Sequence, residues 1–284
     1  MLTSISPEAQ EALVGLFVIF MMISVGIELT VNKLRSVFYS PKMLTIGLLV
    51  NYAVIPLILY SLVHFLDVPG WWGVGLLFVA AAPGGPVGPV MVQNARGQLA
   101  LGVSLMVVMN LLNTVLTPLL IVVMDVIPTE TNEEVSLLGM IKTIVMFQII
   151  PLAGAIYFRH RYERKALWLQ PRLKKASQIL LAVLAVGITA SEFKNLSTLP
   201  GSLLIACNVG VLASLIISYA ITPGLQTDKI AISLTSTFRS ISIALLLLAA
   251  WVQETEAILG TMAYSGTMLW MCWLASLVMG RRKA

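Results

Sequence analysis

The amino-acid sequence predicts an all-α integral membrane protein with nine transmembrane helices, arranged as an inverted repeat with two discontinuous helices at the midplane. Its 284 residues are 58% hydrophobic and only 11% charged, with a mean hydropathy of +0.92, whereas soluble domains have roughly 25% charged residues. The basic residues are concentrated at alternate ends of the apolar segments. The third of the first four spans and the third of the last four spans each contain residues that are unfavourable in a continuous membrane helix. Interrupted helices in corresponding positions of two halves are typical of an inverted repeat.

The nine predicted spans are apolar segments of about 20 residues, the length that crosses a bilayer as a helix. Charged or turn-forming residues bound each of them. In order, the spans are residues 9–30, 42–66, 71–96, 98–125, 136–158, 174–191, 199–221, 227–251 and 255–279. The residues at their boundaries are, in the same order, Lys33, Lys42 and Asp67, Arg96, Asp125, Arg159, Lys174 and Glu192, Pro223, Thr227, and Arg281.

The distribution of Lys and Arg orients these spans. With the N-terminus outside, every Lys and Arg except Lys142, Lys194 and Arg239 lies at an inner helix end or in an inner connection. Cytoplasmic loops carry an excess of these residues, so the C-terminus is predicted to be cytoplasmic. The block RHRYERKALWLQPRLKK, residues 159–175, is predicted to be the longest inner loop and to meet anionic lipid headgroups. No transit peptide is visible, which favours a bacterial inner (plasma) membrane.

The third span contains the first interruption. The run PGGPVGP occupies residues 83–89, and prolines and glycines at this density are incompatible with a continuous helix. Unwound backbone within a bilayer has to be buried in protein or line a polar cavity. The span is therefore predicted to be discontinuous, with Gln93 and Asn94 as candidate cavity-lining residues after the break.

The eighth span has Arg239 near its centre, within the run SLTSTFRSIS. An arginine there costs about 2.5–3.5 kcal/mol on insertion scales, so its side chain is expected to face a cavity or a partner. Ligand or transport chemistry is one interpretation, because the neighbouring hydroxyls could solvate an anion. A structural ion pair with an acid such as Glu28 is the alternative. A break in this helix is also predicted, although the span has no internal Pro or Gly.

Other classes of protein lack support in the sequence. Cys207 and Cys272 both lie in apolar segments and form no CxxC pair, and His64 and His160 belong to no metal-binding motif. The net charge of +5 is explained by topology, so no nucleic-acid partner is predicted. No phosphate-binding loop and no catalytic constellation is present, and we expect no enzyme activity and no cofactor.

Several segments resemble the bile acid:sodium symporter family: SVGIELT, YSPKMLTIGLLVNYAVIP, APGGPVGPVMVQNARGQLALGVSL, NTVLTPLL and TSTFRSISIALLLLA. The most specific is PGG followed by an ARG turn that leads into ALGVS. The resemblance implies a ten-helix fold in which two discontinuous helices cross beside a substrate cavity, and the nine spans here correspond to all but the first. It implies one membrane domain, 1–284, with panel-like helices 9–30 and 136–191 and core-like helices 42–125 and 199–279.

The sequence departs from this family where sodium-coupled members have oxygen-bearing side chains. Gly88 and Pro89 replace a Ser-Asn pair, Gly102 and Met106 replace hydroxyl residues, and Thr235, Arg239 and Ser240 replace Glu, Gln and Asn. Since Na⁺ prefers several oxygen ligands, sodium coupling through these positions is not expected. A guanidinium is effectively always charged, and the hypothesis is that Arg239 supplies positive charge where Na⁺ would sit.

The predicted function is a secondary transporter that moves a small organic anion by alternating access without the usual sodium sites. The alternatives are a sodium-coupled symporter with a relocated ion site and a non-transporting membrane sensor or interaction protein of the same fold. Besides the anion and membrane lipid, no partner is predicted, and the oligomeric state is left open. The candidate substrate-binding residues are Arg239, Thr235, Ser236, Thr237, Ser240, Gly84, Gly85, Gly88, Pro89, Gln93, Asn94, Asn110 and Asn113.

Overall fold

A computed structural model describes residues 7–29, 41–126, 136–191 and 199–281. Of the basic residues used to orient the chain, Lys33, Arg35, Lys194, Arg282 and Lys283 lie outside these ranges. Every regular element within them is a helix. The helices are α1 (Pro7–Glu28), α2 (Pro41–Phe65), α3 (Gly70–Ala81), α4 (Gly88–Asn94), α5 (Leu99–Val123), α6 (Leu137–Arg161), α7 (Glu163–Ser191), α8 (Gly201–Ile221), α9 (Gln226–Thr237), α10 (Ile241–Trp251) and α11 (Thr255–Arg281).

Five helices are long and apolar enough to cross a membrane in the described part of the chain: α2, α5, α6, α8 and α11. Shorter apolar helices cover Ala12–Glu28, Gly70–Ala81 and Ile241–Trp251. These lengths and compositions fit an integral membrane protein that crosses the bilayer several times. The nine-span arrangement and the inverted repeat stay predictions.

Both predicted interruptions are present. The third span divides into α3 and α4 with unwound backbone between Ala81 and Gly88, and the eighth divides into α9 and α10 around Arg239. The second break forms although its sequence has neither Pro nor Gly.

The basic block 159–175 is not a loop, which corrects the sequence prediction. Helix α6 continues to Arg161, and α7 begins at Glu163 and includes the rest of the block, with Pro171 inside it. Lys and Arg are good helix formers, so a charge density that ends a membrane span does not end a helix. The span predicted at 174–191 is therefore the second part of a longer helix.

Helix packing places the interrupted helices in the interior. Helix α1 packs against α6 and α7, while α3 packs against α11 and α9 packs against α8 and α4. The residues of α3 from Leu76 to Ala81 and those of α9 from Ile230 to Thr237 are almost fully buried. Both breaks therefore lie within protein, as unwound backbone at membrane depth requires.

Candidate functional site

The two unwound segments cross each other as a short antiparallel pair, with Pro83 opposite Arg239. The Gly85 N–H donates to the Phe238 carbonyl at 3.1 Å, and the Ser240 N–H donates to the Ala82 carbonyl at 2.7 Å. Each break thus supplies hydrogen-bond partners to the other. This mutual pairing explains how the second helix stops without Pro or Gly.

Two glycines allow the backbones to approach this closely. Gly84 has a φ of +86°, a conformation that side-chain-bearing residues rarely adopt. A Cβ on Gly85 would lie 2.4 Å from the carbonyl oxygen of Arg239, well inside van der Waals contact. The first pair of glycines in PGGPVGP is therefore required by the geometry of the crossing.

Helix α5 provides side chains that satisfy the unwound carbonyls one after another. Thr117 Oγ1 donates to the Ala81 carbonyl at 2.8 Å and Asn113 Nδ2 donates to the Pro83 carbonyl at 2.7 Å, while Asn110 Nδ2 donates to Gly84 at 3.0 Å. The three donors recur at helical spacing, so they share one face of α5. This face replaces the hydrogen bonds that a continuous helix would have formed.

Arg239 is 1% exposed, and its guanidinium binds the end of α3. Nε donates to the Val79 carbonyl at 3.1 Å, Nη2 donates to the Ala80 carbonyl, and Nη1 donates to Asn51 Oδ1 at 3.1 Å. The last carbonyls of a helix lack intrahelical donors and carry a partial negative charge. Arg239 therefore acts as a cationic cap on the first half of the opposite interrupted helix.

The alternative ion pair between Arg239 and Glu28 is not formed. Glu28 lies instead 3.8 Å from Lys174 Nζ and accepts a hydrogen bond from Gln170 Nε2 at 2.7 Å. Arg239 has no carboxylate partner within the described part of the chain. Backbone carbonyls and an amide oxygen take the role that an acid would have had.

The hydroxyl residues around Arg239 are fully buried. Ser236 Oγ accepts a hydrogen bond from Asn51 Nδ2 at 2.7 Å, and Thr237 Oγ1 donates to the Ser233 carbonyl at 2.8 Å. Ser240 Oγ lies 3.2 Å from Ser242 Oγ. Thr235 Oγ1 is buried without a hydrogen-bond partner among the described residues.

Most of the residues singled out in the sequence meet at the crossing. Gly88 packs against Thr235, since a Cβ on Gly88 would lie 3.2 Å from the Thr235 Cα, and a Cβ on Gly102 would lie 3.1 Å from Thr235 Oγ1. The structure does not bring Gln93 and Asn94 to the crossing, because both are exposed at the far end of α4. The residues brought together there are Gly84, Gly85, Gly88, Asn110, Asn113, Thr235, Ser236, Thr237, Arg239 and Ser240. Pro89 is buried next to Gly88 at the start of α4.

Sequence reasoning missed three residues of this network. Tyr52 donates its hydroxyl to Asn113 Oδ1 at 2.7 Å, Thr117 caps Ala81, and Gln148 Nε2 donates to the Asn110 carbonyl at 3.0 Å. The sequence signal for Gln148 was its position as a polar residue within an apolar span, a property that Asn51 shares. A lone polar residue of this kind is equally consistent with an ordinary interhelical hydrogen bond, so the sequence could not separate the two roles.

We expect Asn113→Leu to lower the free energy of unfolding by about 1–3 kcal/mol, because the Pro83 carbonyl loses its buried donor. The Tyr52 hydroxyl loses Asn113 but keeps the Met109 carbonyl as its acceptor. Asn208→Leu is the matched control, since Asn208 is exposed and bonds within its own helix. Surface changes of this kind stay within roughly 0.5 kcal/mol. Thermal unfolding in detergent measures both variants, and equal melting temperatures would contradict the assigned role of Asn113.

Interrupted helices that cross in a buried polar site within a multispanning helical protein are typical of secondary transporters. The family model described as the Sodium Bile acid symporter family matches residues 15–199. The match extends over more than half of the chain, and the chain belongs to this family. The family is one of transporters, not of enzymes.

Curated relatives agree with the family. The chain is 26% identical to a "Probable sodium/metabolite cotransporter BASS1, chloroplastic" of Arabidopsis thaliana, over 60% of this chain and 42% of that protein. It is 34% identical to the protein of the same name in Oryza sativa subsp. japonica, over 41% of this chain and 28% of that protein. It is 29% identical to an "Uncharacterized sodium-dependent transporter YocS" of Bacillus subtilis (strain 168), over 62% of this chain and 52% of that protein. The chain thus spans about half or less of the length of these relatives.

Proposed function

We propose that this protein is a secondary transporter that moves a small organic anion by alternating access and does not use sodium at the helix crossing. The observation that carries the proposal is the position of Arg239. Its buried guanidinium binds the carbonyl oxygens of Val79 and Ala80 and the amide oxygen of Asn51. Oxygen atoms converging from several residues are what a hard cation such as Na⁺ prefers, and here a covalently attached cation occupies them.

The neighbouring positions support the same conclusion. Gly88, Pro89 and Gly102 have no side-chain oxygen, and the Met106 side chain ends in a thioether. Thr235 contributes a neutral hydroxyl where the resemblance implies a carboxylate. Few oxygen ligands remain for a mobile cation, whereas the fixed charge of Arg239 persists throughout a transport cycle.

The electrostatics of the crossing support an anionic substrate. Arg239 supplies a full positive charge, and the N-terminus of α10 begins at Ile241, directly after the break. A helix N-terminus carries a partial positive charge, and half-helix N-termini face anionic groups of the substrate in other broken-helix transporters. Carboxylates, sulfonates and similar small anions are the solutes that this field attracts.

The membrane arrangement is part of the proposal. The nine spans form an inverted repeat, the N-terminus lies outside a bacterial inner (plasma) membrane, and the core-like helices 42–125 and 199–279 move against the panel-like helices 9–30 and 136–191. The antiparallel crossing of α3–α4 with α9–α10 supports the repeat, because inverted halves present their interrupted helices to each other in opposite directions. The contacts of α1 with α6 and α7 support the panel.

A sodium-coupled mechanism with a relocated ion site is the second candidate. The printed names of the relatives favour it, since they describe sodium/metabolite cotransport and sodium-dependent transport. A non-transporting sensor of the same fold is the remaining alternative. A sensor binds an anion without flux, which separates it from both transport mechanisms.

Uptake into proteoliposomes tests the proposal. We expect a panel of small carboxylates and sulfonates to include at least one anion that enters at the same rate in sodium and in choline buffer. Arg239→Gln is expected to lower this uptake strongly, because the shorter neutral amide supplies no positive charge. Uptake that requires sodium, or that persists in Arg239→Gln with unchanged ion dependence, would contradict the fixed-cation mechanism.

A further inference from the structure

An apolar groove runs between α8 and α11, away from the helix crossing. Its volume is about 490 Å³, whereas an apolar cavity of roughly 150 Å³ already holds a benzene molecule. Exposed apolar side chains line it, among them Leu212 and Ile216 of α8 and Leu274 and Val278 of α11. The groove therefore has room for a hydrocarbon chain.

The length of the groove is close to the depth of one bilayer leaflet. Its lining residues extend from Leu212 to Ala220 in α8 and from Met271 to Met279 in α11. At 1.5 Å per residue, each stretch is about 12 Å long, and half of the hydrocarbon core measures roughly 15 Å. Both stretches belong to the C-terminal halves of their helices. The groove thus matches an acyl chain of a single leaflet.

One end of the groove is polar and basic. Tyr219 and Gln226 line this end, and Lys229 Nζ lies 5.7 Å from the centroid of the Tyr219 ring. Gln226 and Lys229 are three residues apart at the start of α9, so they share one face of that helix. Arg281, three residues after Val278 at the end of α11, continues the face that lines the groove.

The charge at this end is not cancelled by an acid in the groove. Asp228 is the acidic residue in the first turn of α9, but it lies on a different face from Gln226 and Lys229. Its Oδ2 is beside Gly224, 3.6 Å from the position that a Cβ on that glycine would take. No acidic residue of the described chain lines the groove. The polar end is therefore complementary to an anionic group.

We propose that this groove binds one anionic phospholipid, with an acyl chain between α8 and α11 and the phosphate at Gln226, Lys229 and Arg281. Basic pockets between membrane helices bind phospholipid headgroups on the cytoplasmic side, and the proposed orientation places the C-terminal ends of α8 and α11 on that side.

The bound lipid has a structural consequence for the helix crossing. Helix α8 packs against the interrupted helix α9, and α11 packs against α3. A lipid that contacts both α8 and α11 therefore joins two helices that support the interrupted pair, and it should stabilise the folded protein. The inference does not depend on which solute the protein transports.

Native mass spectrometry of the full chain, released from detergent with added phosphatidylglycerol or phosphatidylcholine, tests this assignment. Thermal unfolding with the same lipids measures the stabilisation. We expect the wild type to retain one phosphatidylglycerol and to be stabilised more by it than by phosphatidylcholine. Lys229→Gln should weaken the apparent affinity about fivefold, the contribution of one basic residue near anionic headgroups. Ala275→Phe, which fills the groove from α11, should abolish the retention.

Lys165→Gln is the matched control for charge. Lys165 Nζ lies 5.8 Å from the centroid of the Tyr162 ring, the same kind of contact that Lys229 makes, and neither residue lines the groove. Ala182→Phe is the control for bulk, at an exposed position on α7. Both controls should retain phosphatidylglycerol as the wild type does. The melting temperature of each variant without lipid reports whether it folds.

Equal retention of the two lipids by the wild type, or an unchanged affinity in Lys229→Gln, overturns the inference. A loss of equal size in Lys165→Gln also overturns it, because the lipid would then be attracted by the basic surface as a whole. A dimer that Ala275→Phe converts to a monomer would mean that a second copy of the chain fills the groove. None of these readouts requires transport, so a failure of the proposed function is distinguishable from a failure of this inference.

Discussion

Arg239→Met is expected to lower the free energy of unfolding by about 2–4 kcal/mol, the cost of leaving buried oxygen acceptors without their charged donor. Methionine fills much of the same volume but donates no hydrogen bond, so the Ala80 carbonyl and the Asn51 amide oxygen lose the guanidinium donor inside the protein. The Val79 carbonyl loses one of its two donors and keeps the Ala82 N–H. Neither carbonyl can turn to water without opening the end of α3. Reversible unfolding in detergent, followed by helical circular dichroism, measures the loss.

Arg164→Met is the matched control, since Arg164 is exposed on α7, and surface changes stay within roughly 0.5 kcal/mol. Arg239→Ala tests whether a guanidinium group restores the lost stability, because the truncated side chain leaves room for a small cation beside the same oxygens. Millimolar methylguanidinium should raise the melting temperature of Arg239→Ala and leave Arg239→Met unchanged. If Arg239→Met proved as stable as Arg164→Met, the guanidinium would not be a cap on α3.

The sequence predicted the spans closely where hydropathy alone decides a helix, as in 98–125 against the observed Leu99–Val123. It was wrong at 159–175, because hydropathy reports where a helix leaves the membrane and not where it unwinds. The first interruption was visible as PGGPVGP. The second was supported only by Arg239, since its physical cause is pairing with Ala82 and Gly85 on a segment about 150 residues away in the chain.

The candidate site was predictable in its residue types and not in its contacts. Arg239 was recognisable because a charge inside an apolar span is costly. Its partners were not, because they are backbone carbonyls, which every residue has. Asn110 and Asn113 were candidates by residue type, but the sequence could not show that the face of α5 they share with Thr117 lies against the unwound segment. Gln148 could be recognised only from the fold, since its partner is the backbone carbonyl of Asn110 on another helix.

Gly85→Ala is the second change with a large expected effect, a loss of about 2–4 kcal/mol of stability. The added Cβ would lie 2.4 Å from the Arg239 carbonyl oxygen and 3.0 Å from its carbon. Both contacts are with backbone, so no side-chain rotation relieves them. The two unwound segments have to separate, which weakens the hydrogen bonds from Gly85 to Phe238 and from Ser240 to Ala82.

Gly154→Ala in α6 is the control, and its expected change in stability has the opposite sign. An added Cβ there meets no atom within 4 Å, and alanine is favoured over glycine inside a helix by roughly 0.5–1 kcal/mol. We therefore expect thermal unfolding to show a lower melting temperature for Gly85→Ala and a slightly higher one for Gly154→Ala, with anion uptake lost in the first variant and kept in the second. Each variant adds one methyl group. A melting temperature of Gly85→Ala that is not below that of the wild type would mean that the crossing tolerates separation, and close contact between the interrupted helices would not be what holds the site together.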